Sequence, residues 1–75
     1  MKLEYDLVSD TLYIDARTPY EEQDSDEIAA GVIARSNPDT GEIENLEVLH
    51  FHQRSERGEP FDIPVSVTMR TAHSD

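Results

Sequence analysis

The β character of this chain is set by residues 3–15, which read Leu3-Glu4-Tyr5-Asp6-Leu7-Val8-Ser9-Asp10-Thr11-Leu12-Tyr13-Ile14-Asp15. Leu3 and Tyr5 alternate with charged residues, and this two-residue period is typical of a half-buried strand. Residues 11–15 are rich in β-branched and aromatic side chains, which favour a second strand. Asp6 and Asp10 flank the short turn between them, where carboxylates can cap backbone amides. The stretch predicts an antiparallel hairpin over residues 3–15, with an inner face of Leu3, Tyr5, Leu12 and Ile14.

A second hairpin is predicted over residues 28–52. Residues 28–35 form an apolar run in which Gly31 indicates a bulge or a close backbone approach. The clearest turn signal is residues 37–41, because Pro38 presets its backbone angle and Gly41 can take the left-handed position. The strand over residues 42–52 carries apolar side chains at both even-numbered and odd-numbered positions, which would point to opposite faces of a regular strand. A bulge would reconcile them, and burial of both faces in a central or dimer-forming strand would do so as well.

The remaining segments carry weaker signals. Residues 16–27 contain Pro19 and many acids without apolar periodicity, which indicates an exposed acidic linker, with one short helical turn over residues 20–27 as the alternative. Residues 53–60 are predicted to form a loop. Residues 61–69 alternate strictly between apolar and polar, and Pro64 places this predicted fifth strand at an edge. Residues 70–75 are predicted to fray.

Together these segments predict one small domain, residues 1–75, of the mainly β class. Its antiparallel sheet has four to five strands, and one short helical turn would make the class α+β. A chain of 75 residues has a small core. No further element is predicted that could cover the apolar face of the sheet, so packing of two such faces against each other predicts a homodimer.

The composition is strongly acidic and excludes several functional classes. Seventeen Asp and Glu residues oppose six Lys and Arg residues, which gives a formal net charge of -11. Direct nucleic-acid binding needs a basic face and is not expected. The absence of cysteine excludes disulfides and thiolate metal sites and fits a reducing cytoplasm. No stretch approaches the roughly 20 apolar residues of a membrane helix, so we expect a cytoplasmic protein without membrane contact.

The acidity admits three interpretations. A basic protein partner would be attracted by the summed field of the carboxylates. A salt-rich cytoplasm would instead favour a surface rich in carboxylates and poor in lysine. The third interpretation is a solvated surface with no specific role, which is what runs of charge usually mark. The candidate partner-binding residues are acids of the linker and one tyrosine expected on the outer face of the sheet: Glu21, Glu22, Asp24, Asp26 and Tyr13.

The most suggestive pattern for a metal is His50-Phe51-His52. Residues two apart on a strand point to the same face, so His50 and His52 could both reach one ion such as zinc. A further ligand would have to come from a carboxylate, from His73 or from a second subunit. Two surface histidines at a strand end are the alternative. No catalytic constellation or phosphate-cradling loop is visible, so neither catalytic residues nor a cofactor is predicted.

The chain also resembles a known family, the prokaryotic domain of unknown function 2283 (DUF2283), over residues 3–51. The resemblance is carried by Tyr5-Asp6, Asp10, Leu12-Tyr13-Ile14, Ala30-Gly31-Val32-Ile33, the Asp39…Gly41 turn and Ile43…Leu46-Glu47-Val48-Leu49. Asn45 stands where the family pattern leads us to expect glycine. The resemblance implies an antiparallel sheet, often with a helical or irregular C-terminal element, and it brings no catalytic residues.

Two functional hypotheses follow from these observations. The first is a small dimeric module that binds a basic protein partner. The family resemblance implies an antitoxin-like form of this role, because members are often encoded beside small basic proteins that resemble ribonuclease-type toxins. The alternative is a metal-binding protein or a small metal-dependent enzyme that uses His50 and His52.

Overall fold

The computed structural model describes residues 1–66, which form one antiparallel sheet and one short helix. The strands are β1 (Lys2–Asp6), β2 (Thr11–Asp15), β3 (Asp24–Ala29), β4 (Val32–Ser36) and β5 (Ile43–Leu49), and the helix is α1 (Phe51–Glu56). The strand order is β1-β2-β5-β4-β3, so β5 is central and β1 and β3 are the two edges. The prediction of a mainly β fold with a small antiparallel sheet is confirmed.

The hairpin predicted over residues 3–15 is formed by β1 and β2. Leu3 lies opposite Ile14 and Tyr5 lies opposite Leu12, so these four side chains share one face of the sheet. Because β1 lies at an edge, Leu3 remains 63% exposed and Tyr5 remains 40% exposed. The alternation predicted the correct face, whereas the depth of burial depends on the position of the strand in the sheet.

The apolar run over residues 28–35 contains a turn and parts of two strands. β3 ends at Ala29, Gly31 follows with a φ of 74°, and β4 begins at Val32. Gly31 therefore occupies a tight turn, where its positive φ favours glycine, rather than a bulge within one strand. Residues 24–27, which we predicted as linker, belong to β3. Their sequence lacks apolar alternation because β3 is an edge strand whose first residues are exposed on both faces.

The turn between β4 and β5 falls where the sequence predicts it. The Asn37 N–H donates to the Glu42 carbonyl at 2.8 Å, and the Gly41 N–H donates to the Asn37 carbonyl at 2.8 Å. The Asn37 side chain also accepts from the N–H groups of Asp39 and Thr40, two and three residues further on. The turn is thus held by its own polar groups, which explains why it could be recognised from sequence.

Of the two explanations offered for the mixed parity of β5, the bulge is confirmed. Asn45 lies opposite Arg35 while Ile43 lies opposite Ser36, so Glu44 is the extra residue of a bulge. β5 also pairs on both sides as the central strand of the sheet. Its even-numbered residues Leu46 and Val48 join the most buried side chains of the sheet, which also include Val32 and Ala34.

The residue pattern did not predict helix α1, since we expected the fourth strand to continue to His52 and a loop to begin at Gln53, although the family resemblance implied a helical or irregular C-terminal element. The strand ends at Leu49, and His50 adopts a left-handed conformation with a φ of 55° that turns the chain. The helix has six residues and none is fully buried, so it shows no clear apolar period. Within residues 1–66, no helix has the length and apolar character to cross a membrane.

Residues 61–66 do not form the predicted edge strand, although their alternation has a structural meaning. The side chains that pack against the core cluster of Val32, Ala34 and Leu46 include Phe61, Ile63 and Val65. An extended segment laid across a sheet shows the same two-residue period as a strand within it. This segment covers part of the apolar face that we predicted a second subunit would cover. The remaining predicted strand residues, 67–69, and the predicted frayed tail, 70–75, lie outside the described residues.

Candidate functional site

The four acidic candidate residues lie at one edge of the sheet. Glu21 and Glu22 occupy the turn before β3, Asp24 and Asp26 lie on β3, and all four are exposed. Among the described strands β3 pairs only with β4, so its other side presents unpaired backbone groups. We call this surface, together with Glu27, the acidic edge. The structure therefore brings together the four predicted acids.

The basic residues of the described chain are engaged elsewhere. Each of the five Lys and Arg side chains within residues 1–66 lies within 3.7 Å of a carboxylate, in the pairs Lys2–Glu4, Arg17–Glu44, Arg35–Glu47, Arg54–Glu59 and Arg57–Glu59. None of these carboxylates belongs to the acidic edge. Among residues 1–66, no Lys or Arg side chain therefore balances the negative charge of the acidic edge.

Tyr13 lies on the outer face of the sheet, as predicted, but apart from the acidic edge. It is half-buried on β2, opposite Glu4 of β1 and Glu47 of β5. Two strands, β5 and β4, separate β2 from β3. Tyr13 lines a shallow groove with Pro19 of the linker and Arg35 of β4. It is thus a separate candidate contact on the outer face.

The linker that leads to the acidic edge is fixed to the central strand by Asn45. The Asn45 amide group donates to Asp15 Oδ1 at 2.9 Å and to the Arg17 carbonyl at 2.6 Å, and its Oδ1 accepts from Gln23 Nε2 at 2.7 Å. Asn45 is only 2% exposed, so these bonds satisfy a polar side chain that water does not reach. A glycine at this position could not make them.

The bulge residue Glu44 forms the second half of this network. Its carboxylate accepts from Tyr20 Oη at 2.7 Å, Arg17 Nη1 at 3.0 Å, Gln23 Nε2 at 3.1 Å and Asn37 Nδ2 at 3.4 Å. These bonds, that from Tyr20 foremost, lower the pKa of Glu44 to about 2, although desolvation acts in the opposite direction. The same bond raises the pKa of the Tyr20 hydroxyl. Glu44 therefore binds the linker in its charged form.

At the opposite end of the sheet, Asp10 joins the first hairpin to α1. Its carboxylate accepts from Tyr5 Oη at 2.6 Å, from the His52 N–H at 2.8 Å and from the Gln53 N–H at 3.2 Å. The bond from Tyr5, followed by those from the helix amides, lowers the pKa of Asp10. Asp6 accepts from the N–H two residues further on. The predicted capping by Asp6 and Asp10 is confirmed, although Asp10 caps a distant helix rather than its own turn.

His50 and His52 do not share a strand face, so the geometry assumed for a metal site is wrong. His50 precedes α1 and His52 lies within it, and both are exposed. His52 Nε2 lies 3.2 Å from Oε1 of Glu56, one helical turn further on. Within residues 1–66, no group of three His, Asp or Glu side chains is placed to hold a metal ion. His73 lies outside that range, and metal binding by His50 and His52 stays a prediction.

The sequence did not point to Glu44, Tyr20 and Gln23 as a connected set. Glu44 and Gln23 are ordinary polar residues far apart in sequence, and a bulge is needed to bring them together. Two signals were nevertheless present: the break in the parity of β5 and the departure from glycine at Asn45. Both mark the place where the linker is attached.

The fold and these contacts define a class: a small open β-sheet protein whose first hairpin caps a short helix and whose bulged central strand holds a long connection. A family model described as "Protein of unknown function (DUF2283)" matches residues 2–51. The match covers more than half of the chain, and the chain belongs to this family. Neither a search of curated proteins nor a search of solved structures finds a significant match.

Proposed function

We propose that this protein is a small acidic module that binds a basic protein partner through its acidic edge. The observation that carries the proposal is the uncompensated charge of this edge: five exposed acids lie within seven residues, and within residues 1–66 every Lys and Arg is paired with another carboxylate. Such a local field raises the association rate with a cationic partner and disfavours acidic ones.

The open side of β3 suggests how a partner would be held after it arrives. An extended segment could add to the sheet as a sixth strand, with main-chain hydrogen bonds supplying affinity. Its Lys or Arg side chains, at alternate positions, would lie next to Asp24 and Asp26, which are themselves two residues apart on the strand. Tyr13 on the outer face is a second, separate contact in this proposal.

The finer form of the proposal is an antitoxin-like role, in which the basic partner is a small toxin-like ribonuclease. It is supported by the membership of the family together with the acidic edge. In this form the module would bind the basic face that such an enzyme uses to hold RNA, and it would inhibit by occupying that face.

The test begins with capture of the partner from host lysate by the untagged protein at low and high salt. Association kinetics with the recovered protein then compare two quadruple variants of equal charge change. The first neutralises the acidic edge (Glu21→Gln, Glu22→Gln, Asp24→Asn, Asp26→Asn). The second is the matched control and neutralises four exposed acids elsewhere (Asp39→Asn, Glu42→Gln, Glu56→Gln, Asp62→Asn).

We expect the acidic-edge variant to associate about tenfold more slowly and with a weaker salt dependence, while the control variant changes much less. Equal effects of the two variants would show that only the net charge matters and would contradict a specific edge. A protein that recovers no basic partner and unfolds when salt is removed would support the salt-adapted interpretation of the acidity instead.

A further inference from the structure

The outer edge of β1 differs from the acidic edge of β3 in both charge and polarity. Within residues 1–66 no strand pairs with this edge. It carries Lys2, the only lysine of the chain. Its apolar residues are unusually exposed, at 82% for Met1, 63% for Leu3 and 40% for Tyr5. An exposed edge strand with apolar side chains is normally covered in a native protein.

The side chains of β1 are sorted by face. Leu3 and Tyr5 lie on the core face, opposite Ile14 and Leu12 of β2. Lys2 and Glu4 lie on the outer face, where Lys2 Nζ is 3.7 Å from Glu4 Oε2 in the same strand. One face of the strand is therefore apolar, and the other carries one positive charge, Lys2, and two negative charges, Glu4 and Asp6.

We propose that β1 pairs in antiparallel register with β1 of a second copy of this chain, about a two-fold axis at Leu3. In an antiparallel pair centred on one residue, positions equally far before and after it lie opposite each other on the same face. Leu3 then meets Leu3 of the second copy, and Lys2 meets Glu4 of the second copy, twice by symmetry. Met1 meets Tyr5 of the second copy on the core face.

This register is selected by charge. A shift that centres the pair on Glu4 would place Lys2 opposite Asp6, but it would also place two glutamates directly opposite each other at the centre, which is destabilising. A shift that centres it between Leu3 and Glu4 would place an apolar residue opposite a charge on one face. The register at Leu3 pairs opposite charges with each other and apolar residues with each other, and it joins two sheets into one of ten strands.

The same reasoning disfavours the alternatives within the molecule. Self-pairing of β3 would bring together the carboxylates of the acidic edge from both copies. Face-to-face packing of two sheets, which the sequence led us to expect, would meet Phe61, Ile63 and Val65, which already cover part of that face. The dimer through β1 brings no such cluster of carboxylates together and leaves residues 61–66 in place. It does not depend on the function proposed above.

A cysteine-trapping experiment tests the register, because the chain has no cysteine of its own. Directly opposed residues of an antiparallel pair have Cα atoms roughly 4.5 to 5.5 Å apart, which is within the range that a disulfide spans. We expect Leu3→Cys to form a covalent dimer rapidly on mild oxidation. Tyr5→Cys in the same strand and Ser25→Cys on the β3 edge are the controls and should cross-link far more slowly. Equal rates for the three variants would overturn the proposal.

A charge exchange tests the same contact in solution without a covalent bond. Sedimentation equilibrium should show a dimer for the wild-type chain, with its Kd raised about tenfold by Lys2→Glu and similarly by Glu4→Lys. The double variant Lys2→Glu with Glu4→Lys restores opposite charges in every pair and should recover the wild-type Kd within about threefold. Circular dichroism confirms the fold of each variant. A wild-type monomer at all concentrations, or a double variant as weak as the single ones, would contradict the proposal.

Discussion

The two edges of the sheet, β1 and β3, present the same kind of open backbone but opposite side chains. β1 offers Leu3 and Tyr5 on one face and the Lys2–Glu4 pair with Asp6 on the other, whereas β3 offers Asp24, Asp26 and Glu27. Main-chain groups alone would let either edge pair with any strand. In the two proposals above, the side chains decide the partner: β1 would pair with its own copy, whereas the acids of β3 would repel a second β3 and attract a basic strand.

Each edge is also tied to the rest of the molecule by its own polar network. The hairpin that contains β1 is joined to α1 by Asp10, at one end of the sheet. The linker that leads to β3 is joined to the central strand by Asn45 and Glu44, at the other end. If this division is correct, damage to one network should affect one edge more than the other.

The largest effect is expected for Asn45→Ala, which removes three hydrogen bonds and leaves Gln23 Nε2 without one of its two acceptors. We expect a loss of about 3 kcal/mol in the free energy of unfolding, measured by urea denaturation, because buried polar partners are left unsatisfied. Hydrogen exchange should show amides of β3 losing more protection than those of β1. Ser25→Ala, an exposed change on β3, should cost at most about 0.5 kcal/mol. Equal loss of protection at β1 and β3 would contradict the assignment of a separate polar network to each edge.

A smaller effect, at the β1 side, is expected for Asp10→Asn. Asparagine tolerates the positive φ of 52° at this position but lacks the charge and one of the two acceptor oxygens. The melting temperature should fall, and the amides of His52 and Gln53 should exchange faster while those of β3 do not. Asp6→Asn is the control, because Asp6 bonds only within its own turn in the described chain. Unchanged exchange at His52 and Gln53 would show that the cap is not needed.

The smallest and most specific effect is the pH dependence contributed by Glu44. Its folded pKa of about 2 is below its ordinary value of 4.5, so the folded state is favoured when the carboxylate is charged. This contribution is complete above about pH 4.5 and is lost as pH falls towards 2. The melting temperature of Glu44→Gln should therefore lie below that of the wild type at neutral pH and converge with it in acid. A gap that stays constant down to pH 2 would contradict a charged anchor, and Glu42→Gln, an exposed change, should show no such convergence.

The elements closed by local contacts could be predicted from the sequence. The hairpin over residues 3–15 and the turn over residues 37–41 are held by alternation and by side chains that bond to nearby backbone groups, such as Asp6 and Asn37. The gathering of acids at residues 21–27 was equally visible. What alternation could not reveal was whether residues 61–66 pair in the sheet or lie across it, since both arrangements bury every second side chain.

The elements that depend on distant partners could not be predicted. Helix α1 is too short to be stable alone and is capped by Asp10 from the first hairpin. The first residues of β3 carry no apolar period because they are exposed on both faces, and the strand is held by its pairing with β4 and by the bond from Gln23, just before it, to Asn45. The assumed metal geometry of His50 and His52 failed for the same reason, since it required a strand where α1 begins.

The sequence by itself determined the β class, the turns at residues 6–10 and 37–41, the family and the strong negative charge. These follow from residue types and from contacts between near neighbours. Only the tertiary structure decided which strands became edges, and hence that the lysine and exposed apolar residues lie at one edge and the unpaired acids at the other. The physical reason is that burial and hydrogen bonding across the sheet join residues far apart in the chain, as Glu44 joins Tyr20 and Asp10 joins His52.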